Sequence, residues 1–279
     1  MRNNRSILRL TKGKQNLLCV ALLVLLSSLA LYALCGPEPE RGALPGKVLF
    51  VGNSYTYFHE LALVVSAMAQ ADSNDLLCDM SVAGGTTLED HLKGERKLNT
   101  LKMIKAAKYD AVVLQDQSLR PIRDPDSTVR DVGLLCESIR KAKATPYLFL
   151  TWARRGQPEM QDLLTWTYMR AARKHGAKVV PVGMAWQRAL KERPDIPLHD
   201  EDGSHPSQLG TYLSACVFFA ALTGRSPIGL PNELIAKDAS GGLVGLLRVS
   251  EEDATFCQQV AEKTWKAFAS KHRTTGSGL

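Results

Sequence analysis

Five short apolar runs, each followed by residues with helical spacing, constrain this chain more than any other feature. They are Lys47 to Val51, Leu77 to Val82, Tyr109 to Gln115, "TPYLFLTW" from Thr145 and "AKVVPVG" from Ala177. Apolar residues stand at nearly every position of "YDAVVLQ", the pattern of a strand covered on both faces rather than one. The intervening stretches, such as "ELALVVSAMAQA" and "VRDVGLLCESIRKA", are long enough to return the chain so that the next strand can lie parallel to the last. Thr87 and Asp90 form a capping pair ahead of one helix, and Gly176 closes another after "MQDLLTWTYMRAARKH". Pro181 removes a ladder donor and pushes the fifth run towards a sheet edge. Two long helices end the chain, one after Pro206 through "LGTYLSACVFFAALTG" and one from a Ser250 cap to about Lys271. The expected architecture is α/β: a three-layer α/β/α sandwich around a five-stranded, mostly parallel sheet.

Composition narrows the class further. With 45% hydrophobic and 23% charged residues, the body of the chain is globular rather than disordered. The net charge of +7 suggests nucleic acid until it is located: Arg2, Arg5, Arg9, Lys12 and Lys14 supply five of it, with no acid before Gly36. The remaining +2 on residues 36–279 is no footprint for DNA or RNA. Residues 1–16 are a basic n-region ahead of Leu17 to Cys35, nineteen residues without a charge. That length suits an uncleaved membrane anchor. A signal peptide cleaved after Cys35 and lipidation of Cys35 are the other readings. All three leave the following domain outside the cytoplasm, because the positive flank stays inside. "GPEPERGALPG", residues 36–46, reads as a linker, and residues 47–279 as one domain.

Four cysteines lie beyond the leader, Cys78, Cys136, Cys216 and Cys257, each inside an apolar run. They read as buried free thiols rather than bridges. No C-x-x-C and no H-E-x-x-H occurs, so neither a metal nor another cofactor is expected.

Ligands of an open parallel sheet gather beyond the carboxyl ends of its strands. Ser54 follows the first strand in "VLFVGNSYTYF", Gly84-Gly85 the second, Gln115-Asp116-Gln117-Ser118 the third and Trp152-Ala153-Arg154-Arg155 the fourth. The loop "DEDGSHPS" sets Asp202 three residues before His205. A serine needs a base to take its proton, histidine serves best near neutral pH, and a carboxylate fixes the imidazole tautomer. Each piece alone also describes an ordinary turn or loop. His59 and His91 fall on helical segments, His175 sits beside a helix end, and His199 lacks an aspartate three positions before it.

"GNS" after the first strand, a glycine after the second and D-x-x-H in the late loop, spanning Lys47 to about Thr223, resemble the SGNH hydrolases, the GDSL-like esterases and acetylesterases. The resemblance implies a flavodoxin-like sheet, Ser54 as nucleophile, His205 as general base and Asp202 as its orienting carboxylate. It also implies an oxyanion hole from the Ser54 backbone N–H, a backbone N–H at Gly84 or else Gly85, and an asparagine side chain in the third block. This chain has "LQDQS" there, so Gln115 or else Gln117 stands in for the asparagine. Trp152, Arg154 and Arg155 are expected on the substrate rim, where an indole and guanidinium groups suit a small-molecule or glycan ester. The rival reading is a membrane-tethered, non-catalytic binding module with an incomplete oxyanion hole.

Overall fold

The computed structural model describes residues 45–106, 109–237 and 240–273. The leader expected at residues 1–35 and the linker expected at 36–46, apart from its last two residues, lie outside the described residues, and no helix among those described is long and apolar enough to cross a membrane. Strand β1 (Lys47–Gly52) runs into a single helical turn, α1 (Ser54–Tyr57), and then α2 (Leu61–Ala71). Next come β2 (Leu77–Val82), α3 (Leu88–Lys93), α4 (Thr100–Ala106), β3 (Ala111–Leu114), α5 (Arg120–Arg123) and α6 (Pro125–Lys141). The remainder is β4 (Thr145–Phe149), α7 (Met160–His175), β5 (Lys178–Val180), α8 (Val182–Glu192), α9 (Gln208–Thr223), β6 (Glu233–Lys237), β7 (Leu243–Arg248) and α10 (Glu251–Arg273).

The five strands β1 to β5 form one sheet in the order β2-β1-β3-β4-β5, and every pairing in it is parallel. Side chains on β1 alternate between two cores. Val48 and Phe50 pack with residues of α2 and α9, while Leu49 and Val51 pack with residues of α6 and α7, and all four are fully buried. Burial on both faces is why the sequences of β1, β3 and β4 lack a polar alternation. The result is the three-layer sandwich the sequence implies.

Local signals hold at several points. Thr87 accepts from the Asp90 N–H and the Asp90 carboxylate accepts from the Thr87 N–H, a capping box at α3. Gly176 closes α7 in the left-handed conformation at φ 60°. The Ser250 hydroxyl accepts from the Asp253 N–H at the start of α10. β5 ends at Val180 on the sheet edge, and Pro181 stands immediately before α8, where its missing N–H costs nothing. Helix α9 is buried at every position from Leu209 to Thr223, which explains its apolar residues all round. Cys78, Cys136, Cys216 and Cys257 are buried free thiols.

The short helices α1, α4 and α5 were not expected, and neither were two larger elements. Helix α8 fills the stretch after Pro181, burying Val182, Ala185, Trp186 and Ala189 at helical spacing. The antiparallel hairpin β6–β7, with a bulge between Leu234 and Ile235, connects α9 to α10 apart from the main sheet.

Candidate active site

The carboxyl ends of β1 to β4 and the loop between α8 and α9 meet at one edge of the sheet. Ser54 opens α1 directly after β1, and Asn53 caps that turn: its side-chain oxygen accepts from the Tyr55 N–H at 3.1 Å and its amide donates to the Thr86 carbonyl at 2.9 Å. Residue 52 is glycine for a visible reason, since a Cβ there would stand 2.4 Å from both Gln115 Oε1 and Thr56 Oγ1.

The loop carrying the histidine is folded on itself. The Asp200 N–H donates to the His205 carbonyl at 2.8 Å, and the Gly203 N–H to the Asp200 carbonyl at 3.0 Å, with Gly203 at φ 68°. Inside this turn Asp202 Oδ1 accepts from the backbone N–H groups of Ser204 and His205 at 2.8 and 2.9 Å. Its other oxygen lies 2.5 Å from His205 Nδ1, and His205 Nε2 lies 2.8 Å from Ser54 Oγ. Partial burial raises the Asp202 pKa, but the hydrogen bonds from His205 and from the two N–H groups outweigh it and bring it down to about 2. The carboxylate is therefore an acceptor at neutral pH, His205 Nδ1 carries the proton, and the Nε2 lone pair faces the serine hydroxyl. Phe58 stacks on the imidazole with ring centroids 4.3 Å apart, and Tyr55 meets its edge.

Three other groups hold that loop from below. Trp152 Nε1 donates to the Ser204 carbonyl at 3.0 Å, and the Tyr55 hydroxyl lies 2.8 Å from Ser204 Oγ. The Arg155 guanidinium donates to the carbonyls of His199 and Asp200, and the Arg155 N–H to that of Gly203. Tyr55, Trp152 and Trp186 form a continuous stack with centroid spacings of 4.6 and 4.1 Å. His199 is buried under this stack, where burial lowers its pKa; its neutral ring donates from Nε2 to the Ala153 carbonyl.

These contacts redistribute the expected rim. Trp152 is 2% exposed and both ring faces are covered, so it has no face to offer a sugar. Arg155 is committed to loop carbonyls. Arg154 alone of the three lines the cleft of about 260 Å³ that contains Ser54 and His205.

The alternatives for the oxyanion donors also separate. Gly85, at φ 69°, lines the cleft, and open space surrounds its missing Cβ; Gly84 does not line it, and the Gly84 carbonyl accepts from Arg96. Gln115 is fully buried beneath β1: Oε1 accepts from the Asn53 N–H and the Thr56 hydroxyl, each at 2.9 Å, and its amide donates to the Asp116 carbonyl. Its amide is spent away from the cleft. Gln117 does line the cleft, and its Oε1 accepts from the N–H groups of Leu119 and Arg120 at 2.9 and 3.0 Å. With the oxygen so held, the Gln117 amide nitrogen has one long contact, 3.4 Å to Ser118 Oγ. Asp116, fully buried, ties the two blocks together by accepting from the N–H groups of Leu88 and Gln117 on one oxygen.

Sequence reasoning missed Tyr55, Phe58 and Ser204. Three aromatic residues within one helical turn after Ser54, Tyr55, Tyr57 and Phe58, were the available signal. Larger grooves of about 830 and 920 Å³ lie against α10. No group of three or more potential metal ligands occurs among the described residues.

No protein-family model matches the sequence, and neither does any curated protein. Solved structures do match. A candidate SGNH hydrolase from Slackia heliotrinireducens is 24% identical with a TM-score of 0.54, covering 63% of this chain and 97% of its own. A DUF4886 family protein from Bacteroides uniformis is 21% identical with a TM-score of 0.61, covering 78% and 93%. An acetyl xylan esterase, AlAXEase, is 15% identical with a TM-score of 0.50, covering 63% and 99%. With its parallel five-stranded sheet in the order β2-β1-β3-β4-β5, this chain has the SGNH-hydrolase fold.

Proposed function

We propose that the protein is a serine ester hydrolase in which Ser54 is the nucleophile, His205 the general base and Asp202 the carboxylate that orients it. The observation that carries this reading is the unbroken Asp202–His205–Ser54 chain, at 2.5 and 2.8 Å, opening into a cleft beyond the strand ends. As Ser54 Oγ attacks the ester carbonyl carbon, its proton passes to His205 Nε2, and the imidazolium is stabilised by Asp202. The carbonyl oxygen takes up negative charge, and the Ser54 N–H, the Gly85 backbone and the Gln117 amide are the donors assigned to it. Collapse returns the electron pair, breaks the bond to the alcohol oxygen, and His205 protonates the departing alkoxide. Water then gives a proton to His205, attacks the acyl-serine, and frees the acid and Ser54 Oγ–H.

The small size of the cleft supports a short acyl group, its Ser118, Gln117 and Arg154 side chains support a polar, carbohydrate-like alcohol, and the likeness to an acetyl xylan esterase agrees with such a substrate. Full-length protein should release 4-nitrophenol from 4-nitrophenyl acetate, and Ser54→Ala should abolish that release. Equal rates for the two proteins would remove Ser54 from the chemistry. The uncharged segment from Leu17 to Cys35 supports an extracytoplasmic domain tethered to, or released from, a membrane. Retention of full-length protein in membranes through a carbonate wash is the expected result for a tether, and a soluble species beginning near Gly36 is the result for cleavage.

A further inference from the structure

The cleft next to Ser54 holds a guanidinium that no acid neutralises. Arg154 lines the cleft, its side chain meets hydroxyls only, Ser118 Oγ at 3.5 Å from Nη2 and that of Tyr55, and it has no ion-pair partner among the described residues. Its Nε is buried without any hydrogen-bond partner. The neighbouring arginines differ. Arg120 is shared among Asp116, Asp131 and Glu89, and Arg155 is bound to loop carbonyls. The rest of the cleft wall near Arg154 consists of groups that can donate: the hydroxyls of Ser118, Ser204 and Tyr55 and the Gln117 amide. Asp202, the nearest acid in the mechanism, is turned to His205 and its own loop.

A charged donor group without an acid beside it is unfavourable in a protein, so a guanidinium left unneutralised on a cleft wall is a place for a ligand anion. A guanidinium presents paired N–H groups that match a carboxylate, and such charge-assisted pairs are stronger than neutral hydrogen bonds. We propose that Arg154, with Ser118 beside it, binds an anionic group of the substrate, so that the preferred substrate is an ester bearing a carboxylate close to the scissile bond. The proposal rests on the Ser54 hydrolase reading for the place of the ester, and it names the charge that the ester carries. The carboxylate belongs either to the acyl part, as in a monoester of a short dicarboxylic acid, or to the alcohol part, as in the acetate of a hydroxy acid.

The experiment measures binding in full-length Ser54→Ala, which cannot turn the esters over. Two matched pairs are titrated by calorimetry: 4-nitrophenyl hemisuccinate against 4-nitrophenyl succinamate, and 4-acetoxybenzoate against 4-acetoxybenzamide. In one pair the anionic ester should bind at least tenfold tighter than its neutral isostere, and the pair that responds identifies the side that carries the carboxylate. The ratio should fall towards one in Ser54→Ala/Arg154→Gln, remain partly in Ser54→Ala/Arg154→Lys, and shrink as salt is raised. Equal binding of both members in both pairs by Ser54→Ala itself overturns the proposal, whatever the double variants do. Fluorophosphonate labelling of Ser54 in the wild-type protein, run in parallel, reports on the hydrolase reading separately. Label with no anion preference overturns this inference alone, and absence of label counts against the hydrolase.

Discussion

The two glutamines of the third block give opposite predictions, because one supports the turn that carries Ser54 from beneath and the other faces the cleft. Gln115→Ala deprives two buried donors, the Asn53 N–H and the Thr56 hydroxyl, of their common acceptor. Each orphaned donor costs about 1 to 3 kcal/mol, so the variant should lose about 2 to 6 kcal/mol of stability. At about 2 to 4 °C per kcal/mol for a domain of this size, the melting temperature should fall by at least about 4 °C. Gln117→Ala removes only an acceptor for two N–H groups at the start of α5, at a cost near 1 kcal/mol. It also removes the side-chain donor assigned to the oxyanion, worth about 2.7 to 4 kcal/mol, or 10² to 10³ in kcat. Because that contact strengthens in the transition state, KM should change little. Thermal melts and 4-nitrophenyl acetate kinetics on the same preparations measure both effects. Full kcat in Gln117→Ala, with a kcat loss in Gln115→Ala at an unchanged melting temperature, would refute this division.

Other substitutions test the loop. Asp202→Asn should lower kcat on the order of 10⁴-fold while the protein remains folded, because an amide favours the wrong imidazole tautomer; circular dichroism and turnover together check this. The folded-state pKa of Asp202 lies below its ordinary value, so its contribution to stability is present above about pH 3.9 and is lost as pH falls through about 2. The carboxyl carbon resonance of Asp202 should therefore stay constant from pH 7 to 4, and movement centred near pH 4 would contradict the hydrogen-bond pattern. Arg155→Ala should free the carbonyls of His199 and Asp200, raise amide exchange across residues 199–206, and reduce kcat at least tenfold. Arg155→Lys should restore part of both.

What could be read from the sequence follows from where tertiary contacts decide. The central strands of the sheet were legible because burial on both faces imposes a nearly unbroken apolar run, as in β3. The hairpin β6–β7 was not: Ile235, Leu243 and Val244 are exposed, and its short strands pair only with each other. Ser54, Asp202 and His205 stood out because their residue types and order suit one chemistry, Ser54 at a strand end and the other two in the late loop. The choice between Gln115 and Gln117 depends on how the chain turns after β3. Gln115 is still within reach of the Val51 carbonyl, to which its N–H donates, so it continues the ladder, while Gln117 lies beyond the turn. Likewise, nothing in "TWARR" says that Trp152 and Arg155 face the loop of residues 199–206 while Arg154 faces the cleft. That loop comes more than forty residues later and supplies the carbonyls that sort them.

Reaction of the full-length protein with a fluorophosphonate probe, followed by peptide mass analysis, tests the central claim most directly. A serine whose proton is drawn by a neighbouring imidazole reacts with such a probe, and a turn serine does not. The account predicts one modified residue, Ser54, with labelling strongly reduced in His205→Ala. An unlabelled protein, under conditions that fully modify a control esterase, would contradict it.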